Sequence, residues 1–262
     1  MREPLWLPAV ASDHAAKIDS IIVIVHIFMA VIFVGWSAFF LYTLFRFRRK
    51  RNPKANYSGV KSHTSSYLEI AVVVIEIVLL VGFSIPFWIA EVDALPSPEE
   101  NPFEVRVIAQ QFAWHVHYPG PDGLFGRTDI ELINDQTNPL GLDPDDPNSV
   151  DDVYANNQLH LPVGRQALIH LTARDVIHSF GIPEFRVKQD VIPGMSIPVH
   201  FKPIKTTRVF REETGLERRN FEIACAQLCG LGHYRMRGIV IVETEEEVSE
   251  WLAGRLAKKQ GR

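Results

Sequence analysis

Two long apolar runs lie in the first third of the chain. The run from Ile21 to Phe45 contains no Asp, Glu, Lys or Arg, and the run from Tyr67 to Ala90 contains only Glu69 and Glu76. An α-helix rises about 1.5 Å per residue and a membrane's hydrocarbon core is about 30 Å thick, so either run is long enough to cross it. We therefore predict a membrane protein with a hairpin of two transmembrane helices over residues 21–90.

The loop between the two runs, residues 46–66, is strongly basic and has no acidic residue. Its positive residues are Arg46, Arg48, Arg49, Lys50, Arg51, Lys54 and Lys61. Short loops rich in Lys and Arg stay on the cytoplasmic side of a membrane. This pattern places the N-terminal tail, residues 1–20, and everything after residue 91 on the opposite side. The net charge of −4 gives no reason to expect a nucleic-acid partner.

The pattern changes to short alternating runs after a Pro-containing linker at residues 91–100. Apolar and polar residues alternate in Phe103–Ile108 and in Ala167–Thr172, which is the period of a half-buried strand. Further strand-like runs are Val187–Val191, Ser196–Phe201, Asn220–Ala224 and Gly238–Glu243. These short strands predict a β-sandwich or barrel over residues 101–243. Residues 244–262 carry acids first and bases last, which suits the dipole of a short C-terminal helix.

One segment of the predicted β domain, residues 138–152, is rich in Pro, Gly and Asp. It has five aspartates and no basic residue. The composition indicates a solvated surface loop or, alternatively, a docking surface for a basic partner.

The two cysteines of the chain stand in its most informative segment, C-A-Q-L-C-G-L-G-H-Y-R-M. Cys225, Cys229, His233 and Met236 fall within twelve positions between two strand-like runs. Thiolate, imidazole and thioether form a soft ligand set that favours copper over magnesium or calcium. Cys229, His233 and Met236 alone resemble a blue-copper loop, and His178 in D-V-I-H-S-F is the candidate for the missing second imidazole.

Cys225 adds a thiolate that a single copper ion does not need. Two thiolates can bridge two coppers, with one His and one weak ligand for each metal. Sharing one electron over two metals in fixed ligands suits a fast electron carrier. Three other interpretations remain open: a Cys225–Cys229 disulfide, a structural zinc site, and Met236 as ordinary core packing.

With these residues the chain resembles subunit II of the haem–copper oxidases, whose copper loop reads C-x-x-x-C-x-x-x-H-x-x-M. The segments D-V-I-H-S-F-G-I-P and K-Q-D-V-I-P-G are also similar to the family. The resemblance implies a two-helix hairpin followed by an all-β, cupredoxin-like Greek-key sandwich that binds two copper ions. The implied metal-site residues are His178, Cys225, Cys229, His233 and Met236 through their side chains, and Gln227 through its backbone carbonyl. The family usually has Glu at the position of Gln227, with its carboxylate on magnesium, so magnesium binding is in doubt.

The resemblance also implies roles in electron entry and proton movement. The family's aromatic patch, Q-W-x-W, corresponds to Gln111-Phe112-Ala113-Trp114, in which only the second Trp is retained. Phe112 and Trp114 are the electron-entry candidates, and a packed aromatic is the equal alternative for Trp114. Glu69 matches a family glutamate near a proton path into subunit I. Glu76 is a second candidate for that path, or alternatively contacts a polar group of a partner subunit.

The function implied is electron entry into a respiratory terminal oxidase. Cytochrome c, or a related haem donor, would reduce the copper centre, which would pass electrons to haem in subunit I, where oxygen is reduced to water and protons are translocated. The chain has no C-x-x-C-H motif, so no haem is expected in it. The expected partners are subunit I, other oxidase subunits, the donor and the lipid of a bacterial inner membrane, with the copper domain in the periplasm. The rival classes are a quinol-oxidase scaffold without copper, nitrous-oxide reductase and a copper chaperone.

Overall fold

The computed structural model describes residues 7–54, 57–59, 61–90 and 94–260. The described chain forms two compact units. Residues 17–94 make up a helical unit, and the remaining described residues make up a β-rich unit.

The helical unit contains two long apolar helices. Helix α1 spans Ala15–Arg46, and helix α2 spans Thr64–Leu79 and continues through a π-helical turn into α3, Ile85–Trp88. Among the described residues these are the two helical paths long and apolar enough to cross a membrane, with mean hydropathies of 2.5 and 2.7. Their side chains are almost entirely unburied within the chain, unlike those of a soluble protein's core helix. Helix α1 begins at Ala15, inside the segment 1–20 predicted as a tail.

The π-helical turn at Leu80–Ser84 comes just before Pro86. Proline has no backbone N–H, so it leaves a carbonyl of the preceding turn without its usual partner, and π turns are one way in which helices absorb such a break. The Ser84 hydroxyl donates to the Leu79 carbonyl at 3.3 Å. The second apolar helix therefore stays continuous through the proline.

The β-rich unit is a sandwich of two five-stranded sheets, counted over the described residues. The strands are β1 Phe103–Gln110, β2 Ala113–Tyr118, β3 Val153–Asn156, β4 Gln158–Pro162, β5 Ala167–Ala173, β6 His178–Ile182, β7 Val187–Val191, β8 Ile197–Phe201, β9 Phe221–Cys225 and β10 Arg237–Glu243. One sheet has the order β3-β2-β1-β5-β8 and the other β4-β10-β9-β6-β7. Pairs β1–β5 and β4–β10 are parallel and the other named pairs are antiparallel. The predicted fold class, a helical hairpin followed by a β-sandwich, is confirmed.

The core lies between the two sheets. Strand β1 shows why: Val105, Val107 and Ala109 are buried while the alternate residues are wholly or partly exposed. The opposite sheet contributes large aromatic side chains such as Phe180 and Phe221. Burying apolar surface in this way supplies most of the driving force for folding.

Two further helices pack on the sandwich. Helix α4, Thr207–Thr214, is capped by the Thr206 hydroxyl and ends at Gly215, whose φ is +67°. Helix α5, Glu245–Gln260, lies in the predicted C-terminal helix segment, with acids in its first turn and lysines in its last. Trp251 of α5 stacks on His160 with ring centroids 3.7 Å apart. Sequence patterning did not predict α4.

The chain segment just before α1 is part of the sandwich unit. The Ala11 N–H donates to the Glu184 carbonyl at 3.0 Å, and the Ser12 hydroxyl donates to the Phe185 carbonyl at 2.8 Å. Ala11 and Ser12 are both buried. Residues 1–6 of the predicted tail lie outside the described residues, as do residues 91–93 of the predicted linker.

Candidate metal centre

The predicted ligand residues converge at one end of the second sheet. His178 is the first residue of β6 and Cys225 is the last residue of β9. These strands are antiparallel neighbours with Phe180 opposite Cys225, so the imidazole lies beside that thiol. Cys229 lies in the loop after β9, His233 begins a short 3₁₀ turn, and Met236 immediately precedes β10.

The two thiols are the centre of this cluster. Both cysteines are free, and their Sγ atoms lie 3.7 Å apart. The ligand atoms of His178, Cys225 and Cys229 lie within 4.8 Å of one another, close enough to hold a metal ion. All three are at least partly buried. The structure thus places the isolated histidine and both cysteines around one point.

Each thiol has its own nitrogen and its own weaker donor. Cys225 Sγ lies 3.9 Å from His178 Nδ1 and 3.1 Å from the Gln227 carbonyl oxygen. Cys229 Sγ lies 3.6 Å from His233 Nδ1 and 3.7 Å from Met236 Sδ. The Gln227 carbonyl faces the cluster, while the residue as a whole is exposed. Two thiols, two imidazoles and a thioether form a donor set suited to copper.

His178 is oriented by a carboxylate that the sequence analysis did not assign. Asp175 Oδ1 lies 2.9 Å from His178 Nε2, so the other nitrogen, Nδ1, is left for the thiol side. Such a carboxylate on the far nitrogen is the usual support of a metal-binding histidine. Burial acts to raise the pKa of Asp175, but hydrogen bonds from the backbone of Gln111 and from His178 outweigh it and lower that pKa. The only sequence signal is an Asp three residues before the histidine.

The thiol of Cys229 holds its proton more tightly than an ordinary cysteine does. Burial, followed by the hydrogen bond and charge of Cys225, raises the pKa of Cys229 to about 11. A metal binds the thiolate, so occupation of this centre would release a proton from Cys229. Metal affinity at the cluster therefore depends on pH.

The aromatic candidates both lie beside the cluster but differ in exposure. Phe112 is partly buried, and its ring lies so near Gly232 of the copper loop, residues 225–236, that a Cβ there would collide with it. Trp114 is 0% exposed and meets the His178 ring edge-on at 6.3 Å between centroids. Direct contact of the Trp114 side chain with a docked protein is therefore excluded.

The proton-path candidates, Glu69 and Glu76, lie on α2 in the helical unit, and both are exposed. They are seven residues apart, or about two helical turns, which puts them on the same side of the helix.

The acidic insertion, residues 138–152, is more buried than a solvated loop would be: Leu140, Gly141, Ser149 and Asp152 are buried, and most of the other residues are half-buried. Its last residue is a buried acid. The Asp152 side chain is fully buried, and its Oδ2 lies 2.7 Å from Nε2 of His117. The sequence analysis missed this pair, because an Asp at the end of an acidic run gives no sign of burial.

Comparison with known proteins agrees with the geometry. The family model "Cytochrome C oxidase subunit II, periplasmic domain" matches residues 103–244. The chain is 34% identical over 251 residues to "Alternative cytochrome c oxidase subunit 2" of Bradyrhizobium diazoefficiens, covering 95% of this chain and 83% of the relative. It is 27% identical to "Cytochrome c oxidase subunit 2" of Synechocystis, covering 94% and 75%.

A solved structure, the periplasmic domain of subunit II of cytochrome oxidase (CoxB) of Bradyrhizobium japonicum, is similar at 26% identity. It covers 60% of this chain and 94% of that domain, with a TM-score of 0.41. The matched family model and the near full-length relative lead to one assignment. The chain belongs to the cytochrome c oxidase subunit II family, as a membrane-anchored subunit of a haem–copper oxidoreductase whose β domain lies outside the cytoplasm.

Proposed function

We propose that this chain is the electron-entry subunit of its oxidase, with a dinuclear copper centre at His178, Cys225, Gln227, Cys229, His233 and Met236. When bound, the copper pair would accept single electrons from cytochrome c or a related haem protein and pass them to haem in subunit I, for reduction of oxygen to water coupled to proton translocation. The observation that carries this proposal is the pair of free thiols 3.7 Å apart, each with a separate imidazole.

The paired arrangement supports two metals over one. A mononuclear site with four ligands would leave at least one of the five donor side chains without a role. Divided in two, the set is complete on both sides: Cys225 has His178 and the Gln227 carbonyl, and Cys229 has His233 and Met236. The thioether is a poor zinc ligand, which favours copper over a structural zinc site.

The residues on the inner side of the donor set shield it from water and keep its geometry fixed, while Cys225 and His233 are partly exposed on the outer side. Met236 and Cys229 are 1% and 3% exposed, and Trp114 and Phe180 wall the inner side. Asp175 holds the His178 ring in one orientation. Because a rigid site shielded on its inner side changes little when its charge changes, this surrounding suits electron transfer more than substrate binding.

Magnesium is not part of the proposal. Gln227 carries a neutral amide where the related subunits usually have a carboxylate, and magnesium prefers charged oxygen ligands. The backbone carbonyl of Gln227 keeps its proposed copper role, since that role does not depend on the side chain.

The remaining roles follow from position. We propose that electrons enter at Phe112, whose ring lies against the copper loop, and that the buried Trp114 lies further in, beside the His178 ring. Glu69 and Glu76, exposed on α2, would face subunit I along a proton path. The basic loop between the spans would lie in the cytoplasm and the copper domain in the periplasm of a bacterial inner membrane.

Copper analysis of the full-length chain in detergent tests the proposal. After loading with copper, we expect two coppers per chain and an electron paramagnetic resonance signal from one electron shared by both. Cys225→Ser should abolish the shared signal. His233→Asn should lower copper binding. His170→Asn is its matched control, because His170 lies away from the cluster beside Glu104.

Three outcomes would count against the proposal. One copper per chain indicates a mononuclear site, and preferred binding of zinc indicates a structural one. A chain that takes up no metal would match a quinol-oxidase scaffold. Electron entry itself is checked by mixing the loaded chain with reduced cytochrome c and following oxidation of the haem.

A further inference from the structure

A line of hydrogen bonds connects His178, on one side of the donor set, with Cys229 on the other side. Asp175 Oδ1 accepts from His178 Nε2 at 2.9 Å, and Asp175 Oδ2 accepts from the backbone N–H of Gln111 at 2.8 Å. The Gln111 side chain then donates from Nε2 to the Cys229 carbonyl at 2.6 Å. The line therefore runs from the isolated histidine to the middle of the copper loop without passing through a metal ligand atom.

The turn that carries Gln111 is fitted closely against the copper loop. A Cβ at Gly230 would lie 2.8 Å from Gln111 Nε2, and the φ of Gly230 is +127°, a conformation that L side chains rarely adopt. A Cβ at Gly232 would meet the Phe112 ring. Gln111 and Phe112 thus contact the loop at Gly230 and Gly232, where a side chain would collide with them, while Leu231 between these two glycines stays exposed.

The two halves need such a link because they come from distant parts of the chain. His178 and Cys225 are 47 positions apart in sequence, and Gln111 and Cys229 are 118 apart. Only packing and hydrogen bonds can set their spacing. A ligand set that must stay within about 0.5 Å of its working geometry depends on supporting hydrogen bonds of this kind.

We propose that Gln111 and Asp175 are positioning residues that fix His178 relative to Cys229, so that the donor set is held in place before and after copper binds. The inference rests on the proposed function, because it assumes that the cluster holds copper. The brace itself, defined as Gln111 with Asp175, is made by the protein alone and acts on the copper loop even without metal.

The brace is tested by replacing Gln111 and Asp175 with residues of nearly the same size. Gln111→Glu keeps the shape but replaces the amide donor with a carboxylate that repels the Cys229 carbonyl. Asp175→Asn keeps one acceptor for His178 and places an NH2 group against the Gln111 N–H. Gln136→Glu is the matched control, since Gln136 is exposed in the loop before the acidic insertion. Hydrogen exchange in the β strands checks that each full-length variant in detergent is folded.

Three readouts distinguish positioning from general structure: the rate of copper loss to a chelator, the copper hyperfine splitting in electron paramagnetic resonance, and the alkylation rate of Cys229 in metal-free chain. We expect Gln111→Glu and Asp175→Asn to lose copper about 10-fold faster, with altered splitting. Cys229, which is buried, should be alkylated faster in Gln111→Glu. The control should match the wild type in all three.

The proposal is overturned if Gln111→Glu and Asp175→Asn both retain copper like the wild type, with unchanged hyperfine splitting and an unchanged alkylation rate of Cys229. If the wild-type chain binds no copper, the proposed function fails on its own. The alkylation rate of the metal-free chain then decides separately whether Gln111 holds the loop.

Discussion

Two of the histidine–carboxylate pairs in the β-sandwich, His178–Asp175 and His117–Asp152, have different roles. In the first, His178 Nε2 lies 2.9 Å from Asp175 Oδ1, and the other nitrogen faces the Cys225 thiol at 3.9 Å. In the second, His117 Nε2 lies 2.7 Å from Asp152 Oδ2, and both side chains are 0% exposed. Within the described chain, His117 Nδ1 has no hydrogen-bond partner. The two pairs share a short contact between Nε2 and a carboxylate, and they differ in the exposure of the acid, 27% for Asp175 and 0% for Asp152, and in what lies opposite.

The difference shows that a buried histidine with a carboxylate is not by itself a metal site. Opposite His178 stand two thiols, a second imidazole and a thioether, which together make a donor set. The His117 pair instead fastens the end of the acidic insertion to β2: Asp152 Oδ2 also accepts from the Gly126 N–H, and Lys259 binds the Asp152 carbonyl. The soft donors decide the chemistry, and the carboxylate only orients the ring.

The largest expected effect is a loss of metal binding, and only a substitution in the His178–Asp175 pair should cause it. His178→Asn removes a proposed ligand, so copper affinity should fall by more than the about 100-fold that loss of an outer partner can cause. His117→Asn should leave copper content and spectrum unchanged. Copper titration of both full-length variants against a chelator measures this. Equal losses in the two variants would show that the comparison is wrong.

The next effect is on stability, and it should fall on the other pair. His117→Leu removes the hydrogen bond that the buried Asp152 carboxylate accepts from His117 and leaves only the Gly126 N–H on that oxygen, which costs about 1–3 kcal/mol. The double variant His117→Leu, Asp152→Leu should be less destabilised than the single one, because no unpaired charge remains. Urea unfolding, monitored by hydrogen exchange in the β strands, gives the free energy of unfolding of the single variant and of the double variant. A double variant as unstable as the sum of the two single variants would show that the two side chains do not interact.

Two buried histidines away from the cluster should also make the stability of the folded chain depend on pH. Burial, followed by the positive charge of Arg174, lowers the pKa of His115 to about 4, and burial lowers that of His117. An unfolded histidine has a pKa near 6.5. As the pH falls from about 6.5 towards 4, the unfolded chain therefore takes up protons that the folded chain refuses, and stability decreases.

For His115 this loss is at most about 3 kcal/mol, because one pH unit is worth about 1.4 kcal/mol and partial contact with solvent reduces the effect. Unfolding midpoints between pH 7 and pH 4.5 measure the slope in wild type and in His115→Gln. The variant should show a shallower decline. An equal decline would mean that His115 is not held neutral by burial.

The sequence carried enough information for the membrane helices, most of the strands and the clustered ligands, for a physical reason. Long uncharged runs, period-two alternation and ligand spacing are local patterns. Of the ten strands in the described residues, β2, β3, β4 and β6 were missed. In β6 every residue is buried, and its sequence shows no alternation of apolar and polar residues. β2 does alternate from Trp114 to Tyr118, but its polar positions, His115 and His117, are buried as well, so the alternation does not mark an exposed face.

The supporting contacts of the site could not be predicted in the same way. Asp175 and Gln111 are 64 positions apart, and the parallel pairing of β1 with β5 in one sheet brings them together. Residues 7–14 likewise gave no sign that Ala11 and Ser12 would be buried against the sandwich. Such contacts depend on the register of distant strands, which local patterns do not contain.

The smallest expected effect is at an exposed ion pair, Arg127 with Asp143. Arg127 donates from Nε and Nη2 to Asp143 Oδ2 in the acidic insertion, with the arginine largely exposed. Exposed ion pairs contribute little, because water and salt screen both partners. Arg127→Gln should therefore leave the unfolding midpoint and the copper content unchanged, in contrast to His117→Leu a short distance away in the fold. Unfolding in low salt and in 0.5 M salt provides the control, because a true surface pair loses even its small contribution as salt rises. A clear destabilisation by Arg127→Gln would mean that Arg127, and not only the buried His117–Asp152 pair, holds the insertion on the sandwich.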